Sequence, residues 1–244
     1  MKKIKNKHVL VICPGQSILK YKEKIDNFIK ENKVVTIGCK NMGHMFVPDY
    51  HFWTDNRGYN TFGKNMNKKT TPVFSQLMTE KTIKKYWKKK YLVAHYTPRK
   101  WKSSYDDPES KKYKMGDVKC KNNKMYGALI TTGCVSVFWA HMNKASKISI
   151  VGMDGYTFYS LQDLKNSNET QHCYGDGFSD LLAFKRKHKG LSSGKYRTIY
   201  KNHKRRDSDV AKTLSSMKKY KVNFEMITPT IFKDYYNPSV LDIE

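Results

Sequence analysis

Tyr200 and His203 stand three residues apart in the tetrapeptide YKNH, near the end of a lysine-rich stretch. An imidazole exchanges protons near neutral pH, and its neutral form can take one from a hydroxyl. The cations around His203 favour that neutral form. Asp207 and Asp209 follow closely enough to orient the ring. Upstream, GMDGYTFY (152–159) supplies Asp154, Tyr156 and Tyr159 in a polar segment. Phenols of this kind can donate hydrogen bonds to a phosphate or carboxylate. Each residue also has a plainer local reading: His203 and the tyrosines as surface, Asp154 as the cap of a turn.

Two further segments have the make-up of anion or ribose sites. PGQS (14–17) offers Gly15 for close backbone approach and Ser17 at a helix start. ITTG (130–133) offers two hydroxyls and Gly133 where another helix opens. An ordinary turn and an ordinary cap explain them equally well. The chain lacks GxGxxG and a Walker A loop. Asp106-Asp107 lies in an irregular stretch and makes a poor metal-binding pair. The five cysteines form no CxxC and are odd in number, so buried free thiols are expected rather than a zinc site or disulfides.

These segments need a scaffold that brings strand ends together. HVLVIC (8–13) reads as a buried strand, 17–32 as a helix with Ile18, Tyr21, Ile25, Phe28 and Ile29 near one face, and 33–39 as a second strand. That is a βαβ unit, which implies parallel strands. Further strands are expected at 48–55, 72–76, 90–96, 146–154 and 222–230. Helices are expected at 79–90, from about Thr132, and at 208–220. Residues 97–125 read as an irregular insertion and 155–205 as an irregular, flexible lid. The predicted fold is a single α/β domain spanning 1–244. It is Rossmann-like and doubly wound, with a mainly parallel sheet and helices on both faces. Ligands of such sheets bind beyond the carboxyl ends of the strands.

The formal net charge is +26, from 47 Lys+Arg against 21 Asp+Glu. A lysine-, asparagine- and tyrosine-rich composition also follows from an AT-rich coding sequence. A field of this size nevertheless attracts anions: nucleic acid, acidic lipid, acidic glycan or a nucleotide. KKYWKKKY (84–91) interleaves aromatics with lysines as single-strand binders do. The opening MKKIKNKHVLVIC has too short an apolar run for a signal peptide, so a cytosolic protein is expected.

In order along the chain, VICPGQSI, ITTG, GMDGY, YKNH and ITPT resemble the bacterial sialyltransferases of glycosyltransferase family 42. The resemblance covers about 8 to 232. It implies an inverting, metal-independent transfer of an acidic sugar from a CMP-linked donor to a surface glycan, with no cofactor. It makes His203 the general base, and makes Tyr156 and Tyr200, with Tyr159 from the lid, partners of the leaving phosphate. Gly15, Ser17, Thr132 and Gly133 would line the nucleotide beside Asp154, with Asn41 and Asn56 touching ribose or base. The chain departs from the family at Cys13-Pro14-Gly15 and at Leu129, so sialic acid and a Kdo-like sugar both stay open as donors. The basic surface implies peripheral contact with the anionic inner face of the membrane; homo-oligomerisation stays open. The alternatives are a nucleotide-binding enzyme of other phosphate-ester chemistry and a basic nucleic-acid-binding module, which the ordered strand-end motifs do not favour.

Overall fold

The computed structural model describes residues 4–42, 45–97, 118–121, 124–127, 131–158, 173 and 193–243. Seven parallel strands form the central sheet. In chain order they are β1 (His8–Ile12), β2 (Val35–Cys39), β3 (Tyr50–Trp53), β4 (Thr71–Ser75), β5 (Leu92–Ala94), β9 (Lys147–Val151) and β10 (Phe224–Met226). They lie side by side as β10-β9-β1-β2-β3-β4-β5. Parallel strands of this kind are covered on both faces, which is why their sequences are continuous apolar runs. Val9, Leu10, Val11 and Ile12 are all fully buried.

The expected doubly wound α/β fold is therefore present. From β1 the sheet grows one way through β2 to β5, and then β9 returns to the other side of β1. That reversal makes the crevice between the ends of β1 and β9 the topological switch point. One face carries α5 (Thr132–Met142) and α6 (Ser193–Lys219). Trp139 of α5 packs edge-on against Tyr50 and Phe52 of β3, and Val210, Leu214 and Met217 of α6 join the same core. The other face carries α1 (Ser17–Lys20), α2 (Lys22–Asn32), α3 (Asn56–Phe62) and α4 (Glu80–Lys84). Ile18, Ile25 and Phe28 cover β1 there, and Tyr59, Phe62 and Ile83 surround Trp53 and Phe74.

Several expected elements differ in extent. The helix over 17–32 is divided at Tyr21, where the backbone leaves helical geometry (φ −111°, ψ 22°). The basic helix over 79–90 ends at Lys84. Beyond it Trp87 turns inward and is only 4% exposed, its indole N–H donating to the Lys90 carbonyl at 3.2 Å. Consecutive lysines repel one another and give a helix little support there. Within the supposed irregular insertion, β7 (Val118–Lys121) and β8 (Lys124–Gly127) pair antiparallel, and β8 pairs in parallel with β6 (Tyr96–Thr97). The last helix begins at Ser193 rather than 208, so YKNH is helical and not the end of an irregular segment. Most of the expected lid, including Tyr159, lies outside the described residues. All five cysteines are free. Among the described residues no helix is long and apolar enough to cross a membrane.

The sheet's right-hand turn into the switch point depends on Gly152. Its φ is +70°, and a Cβ there would lie 2.0 Å from the Cys13 carbonyl oxygen, which is backbone and cannot step aside. Gly152→Ala should therefore cost about 3 kcal/mol or more of stability. Urea unfolding measures it, and a midpoint within error of the wild type would show that the β1–β9 junction is looser than described.

Candidate functional site

The chain leaves β1 at Cys13 and β9 at Val151 side by side, since Cys13 N–H donates to the Val151 carbonyl at 2.8 Å. Gly15 N–H then donates to the Gly152 carbonyl at 2.9 Å. A Cβ on Gly15 would sit 2.4 Å from that oxygen and 2.6 Å from the Asp154 carboxyl. Close chain-to-chain approach is thus sufficient reason for this glycine. Asp154 is 4% exposed and reaches across the crevice. It accepts from the Ser17 backbone N–H at 2.9 Å and from the Ser17 hydroxyl. Ser17 Oγ also bonds Thr228 Oγ1 at 3.1 Å, and Gly152 N–H donates to that same threonine oxygen at 3.0 Å.

This network alters what the sequence suggested for PGQS. The amides of Gly15 and Ser17 were expected to be open to a phosphate, but both are bonded to the β9 turn. Gly15 N–H is taken by the Gly152 carbonyl and Ser17 N–H by the carboxylate of Asp154, which the sequence placed beside the nucleotide. Burial pushes the Asp154 carboxyl up to about 6, partly offset by the hydrogen bonds from Ser17 and the Gln16 amide.

The β9 turn continues into Tyr156 and meets α6. Asp207, 6% exposed, accepts from Tyr156 N–H at 2.8 Å, Thr157 N–H at 2.8 Å and Thr157 Oγ1 at 2.7 Å. Burial raises its carboxyl above the ordinary value despite these donors. Asp207 thus holds the turn after β9. One helical turn earlier, His203 is 1% exposed, with its ring 5.7 Å from the Tyr156 ring and tilted 30° to it. The Arg206 guanidinium lies over the same tyrosine at 5.3 Å. Tyr200, half-buried one turn before His203, has the Lys204 ammonium 5.2 Å from its ring centroid. His203, Tyr156, Asp154, Gly15 and Ser17 are thus brought to one place at the carboxyl edge of the sheet.

The remaining predicted residues sit on its flanks. Thr131 caps α5, accepting from Cys134 N–H at 3.1 Å. Thr132, at the first position of α5, is buried and shares a 2.6 Å hydrogen bond with Thr54 at the end of β3. Gly133 lies so near Cys13 and Met153 that a Cβ would meet both. Asn56 opens α3, and its side-chain oxygen accepts from Thr79 N–H at 3.1 Å, tying α3 to α4. Asn41 is buried beyond β2 and lines a cavity on the far face, away from His203. Sequence reasoning singled out ITPT but gave no role to Thr228 and Thr230, which fasten the end of the last strand to β9. Thr230 Oγ1 donates to the Met153 carbonyl at 2.8 Å, and Ile231 N–H to the Asp154 carbonyl at 3.0 Å. The TPT signature after a strand was the available signal. Among the described residues no group of three or more His, Cys, Asp or Glu could hold a metal ion.

A carboxyl whose folded pKa is raised favours the protonated form in the folded state. Stability is then fully present at low pH and declines as pH rises from the ordinary value of 3.8 through about 6. Relative to Asp154→Asn, the wild type should lose on the order of 3 kcal/mol across that window and little beyond it. Asp207 titrates in both proteins and largely cancels. Urea unfolding from pH 3.5 to 8 reads the difference, and parallel curves would show that Asp154 is better solvated than its burial implies.

No protein-family model, curated protein or solved structure matches the chain.

Proposed function

We propose that the chain is an inverting glycosyltransferase that moves an acidic sugar from a CMP-linked donor to a glycan hydroxyl. The observation that carries this reading is the meeting of His203 with Tyr156 at the carboxyl end of β9, beside the switch point. His203 takes the proton from the acceptor hydroxyl as its oxygen attacks the anomeric carbon. The bond from that carbon to the phosphate oxygen breaks, and the electron pair leaves with CMP. The Tyr156 and Tyr200 hydroxyls donate to the departing phosphate. Each phenol has a cation beside its ring, Arg206 and Lys204 respectively, which suits an anionic leaving group. Tyr159 would join them from the lid. The Thr54–Thr132 hydroxyl pair and Gly133 mark the adjacent edge for the nucleotide, with Asn56 beyond it. The reaction needs no cofactor, and sialic acid and a Kdo-like sugar both suit the acidic donor.

Two measurements test it. CMP should raise the melting temperature where UDP, GDP and NAD do not; a preference for any of those three overturns the donor. His203→Asn should lower CMP release from CMP-sialic acid or CMP-Kdo by about 100-fold or more while the CMP-induced shift persists. Undiminished release from the variant would remove the imidazole from the chemistry.

The lysine face supports a partner of another kind. Lys81, Lys84, Lys85, Lys88, Lys89 and Lys90 are exposed around α4, whereas Trp87 among them is buried. Single-strand binding needs open aromatic faces for stacking, and Trp87 offers none. Exposed lysines over an inward-facing aromatic core instead suit an anionic leaflet, at about 1 kcal/mol per lysine near the surface. In the proposed setting the protein is cytoplasmic and touches the inner membrane face. It should sediment with vesicles containing phosphatidylserine at low salt and be released at high salt; equal retention on neutral vesicles would argue against this contact.

A further inference from the structure

At the corner of β9 and α6 one phenol meets two side chains of the same helix. The Tyr156 ring lies 5.7 Å from the His203 imidazole and 5.3 Å from the Arg206 guanidinium. His203 and Arg206 stand three residues apart on α6, so they are neighbours on its surface. Asp207 holds the Tyr156 backbone against the same helix, accepting its N–H at 2.8 Å. Imidazole, phenol and guanidinium are thus carried on one frame. His203 is buried in it, and Arg206 is partly exposed.

The two buried carboxyls of this corner are committed to the frame. Asp154 accepts from Ser17, and Asp207 accepts from Tyr156 and Thr157. Arg206 and the exposed Lys204 bring positive charge to the same corner, each beside a phenol. The two cations differ in what they recognise. An ammonium is a compact point charge, whereas a guanidinium presents paired N–H donors whose spacing matches the two oxygens of a carboxylate.

We propose that Arg206 binds the carboxylate of the sugar and so restricts the site to acidic sugars. This rests on the glycosyl-transfer reading, which calls for an acid, and adds the residue that recognises it. In sialic acid and in Kdo the carboxylate is bonded to the anomeric carbon itself. The group that holds it must therefore stand beside the reacting atoms. In an inverting displacement the acceptor oxygen and the phosphate lie on opposite sides of that carbon. The carboxylate lies off that line, between them. Arg206 has the matching neighbours, because the phenol it covers is the one that meets His203. Lys204, beside Tyr200, is left to the phosphate. Arg206 is a binding and specificity residue, and its role is read without turnover.

Backbone-amide NMR of the full chain, followed at the turn after β9, measures the binding. N-acetylneuraminic acid, Kdo, the methyl ester of each and acetate are titrated separately, without nucleotide. At least one of the two acids should bind about tenfold or more tightly than its own ester. Arg206→Gln should remove that preference and leave the ester affinity unchanged, whereas a merely structural role would weaken acid and ester alike. Arg206→Lys, which keeps the charge but not the fork, should retain only part of the preference. No binding of either acid, equal binding of acid and ester, or a preference that survives Arg206→Gln would overturn the proposal. So would acetate binding as tightly as the acids, which would leave an adventitious anion contact. If the glutamine variant does not fold, the lysine variant decides, and an undiminished preference there overturns the proposal. Failure of CMP to bind, with an acid preference that Arg206→Gln removes, would overturn the nucleotide donor and leave the carboxylate site standing.

Discussion

A single buried carboxylate holds the two halves of the sheet in register at the point where their order reverses. Asp154 ends β9, yet its oxygens serve the turn after β1, taking the backbone and hydroxyl hydrogens of Ser17. Placing a carboxyl at 4% exposure is unfavourable in itself, and its raised pKa expresses that cost. The hydrogen bonds recover part of it, and what they secure is geometry. Gly15 can approach Gly152 within 2.9 Å only because neither carries a side chain at the junction. Without that closeness Asp154 could not reach Ser17, and the switch point would splay.

From the same turn a second carboxylate extends the constraint to helix α6. Asp207 binds two successive amides and a hydroxyl of 156–157, so the backbone of Tyr156 is fixed relative to α6. His203 lies one turn away on that rigid helix and rests against the ring of Tyr156. The position of the imidazole is thus inherited from β1 through Ser17, Asp154, the β9 turn and Asp207. Packing alone would tolerate sliding of α6 along the sheet; directional hydrogen bonds at its middle do not. The base role proposed for His203 needs that kind of fixing, because proton transfer depends on distance and angle to the reacting hydroxyl.

The sheet was legible because its strands are uninterrupted β-branched or aromatic runs, and the β1–α–β2 opening follows directly from HVLVIC and KVVTIGC. The crevice was legible too, since polar turns follow those strands. The hydrogen-bonding partners within it were not, because Ser17 and Asp154 are 137 residues apart and no local pattern links them. The start of α6 was missed for a specific reason. Its buried stripe runs His203, Asp207, Val210, Leu214, Met217 at helical spacing, and its first two members are polar. A search for apolar periodicity therefore begins the helix at 208, just before Val210, and leaves the end that carries His203 as loop. The hairpin at 118–127 was hidden likewise, its strands being short and lysine-bearing. KKYWKKKY misled in the other direction: its aromatics look like a stacking surface, but a lysine flank does not prevent an indole from turning into the core.

The carboxyl edge is accordingly of two kinds. Between β1 and β9 the polar side chains satisfy one another, and the result is a fixed frame on which His203 and Tyr156 are mounted. Around β3 the opposite holds: His51 Nδ1 and Trp53 Nε1 are buried without partners, beside a cavity. A fold gains nothing in stability from that arrangement, since either atom would be better solvated or replaced by carbon. Asn41, buried beyond β2, lines that cavity on the face away from the imidazole.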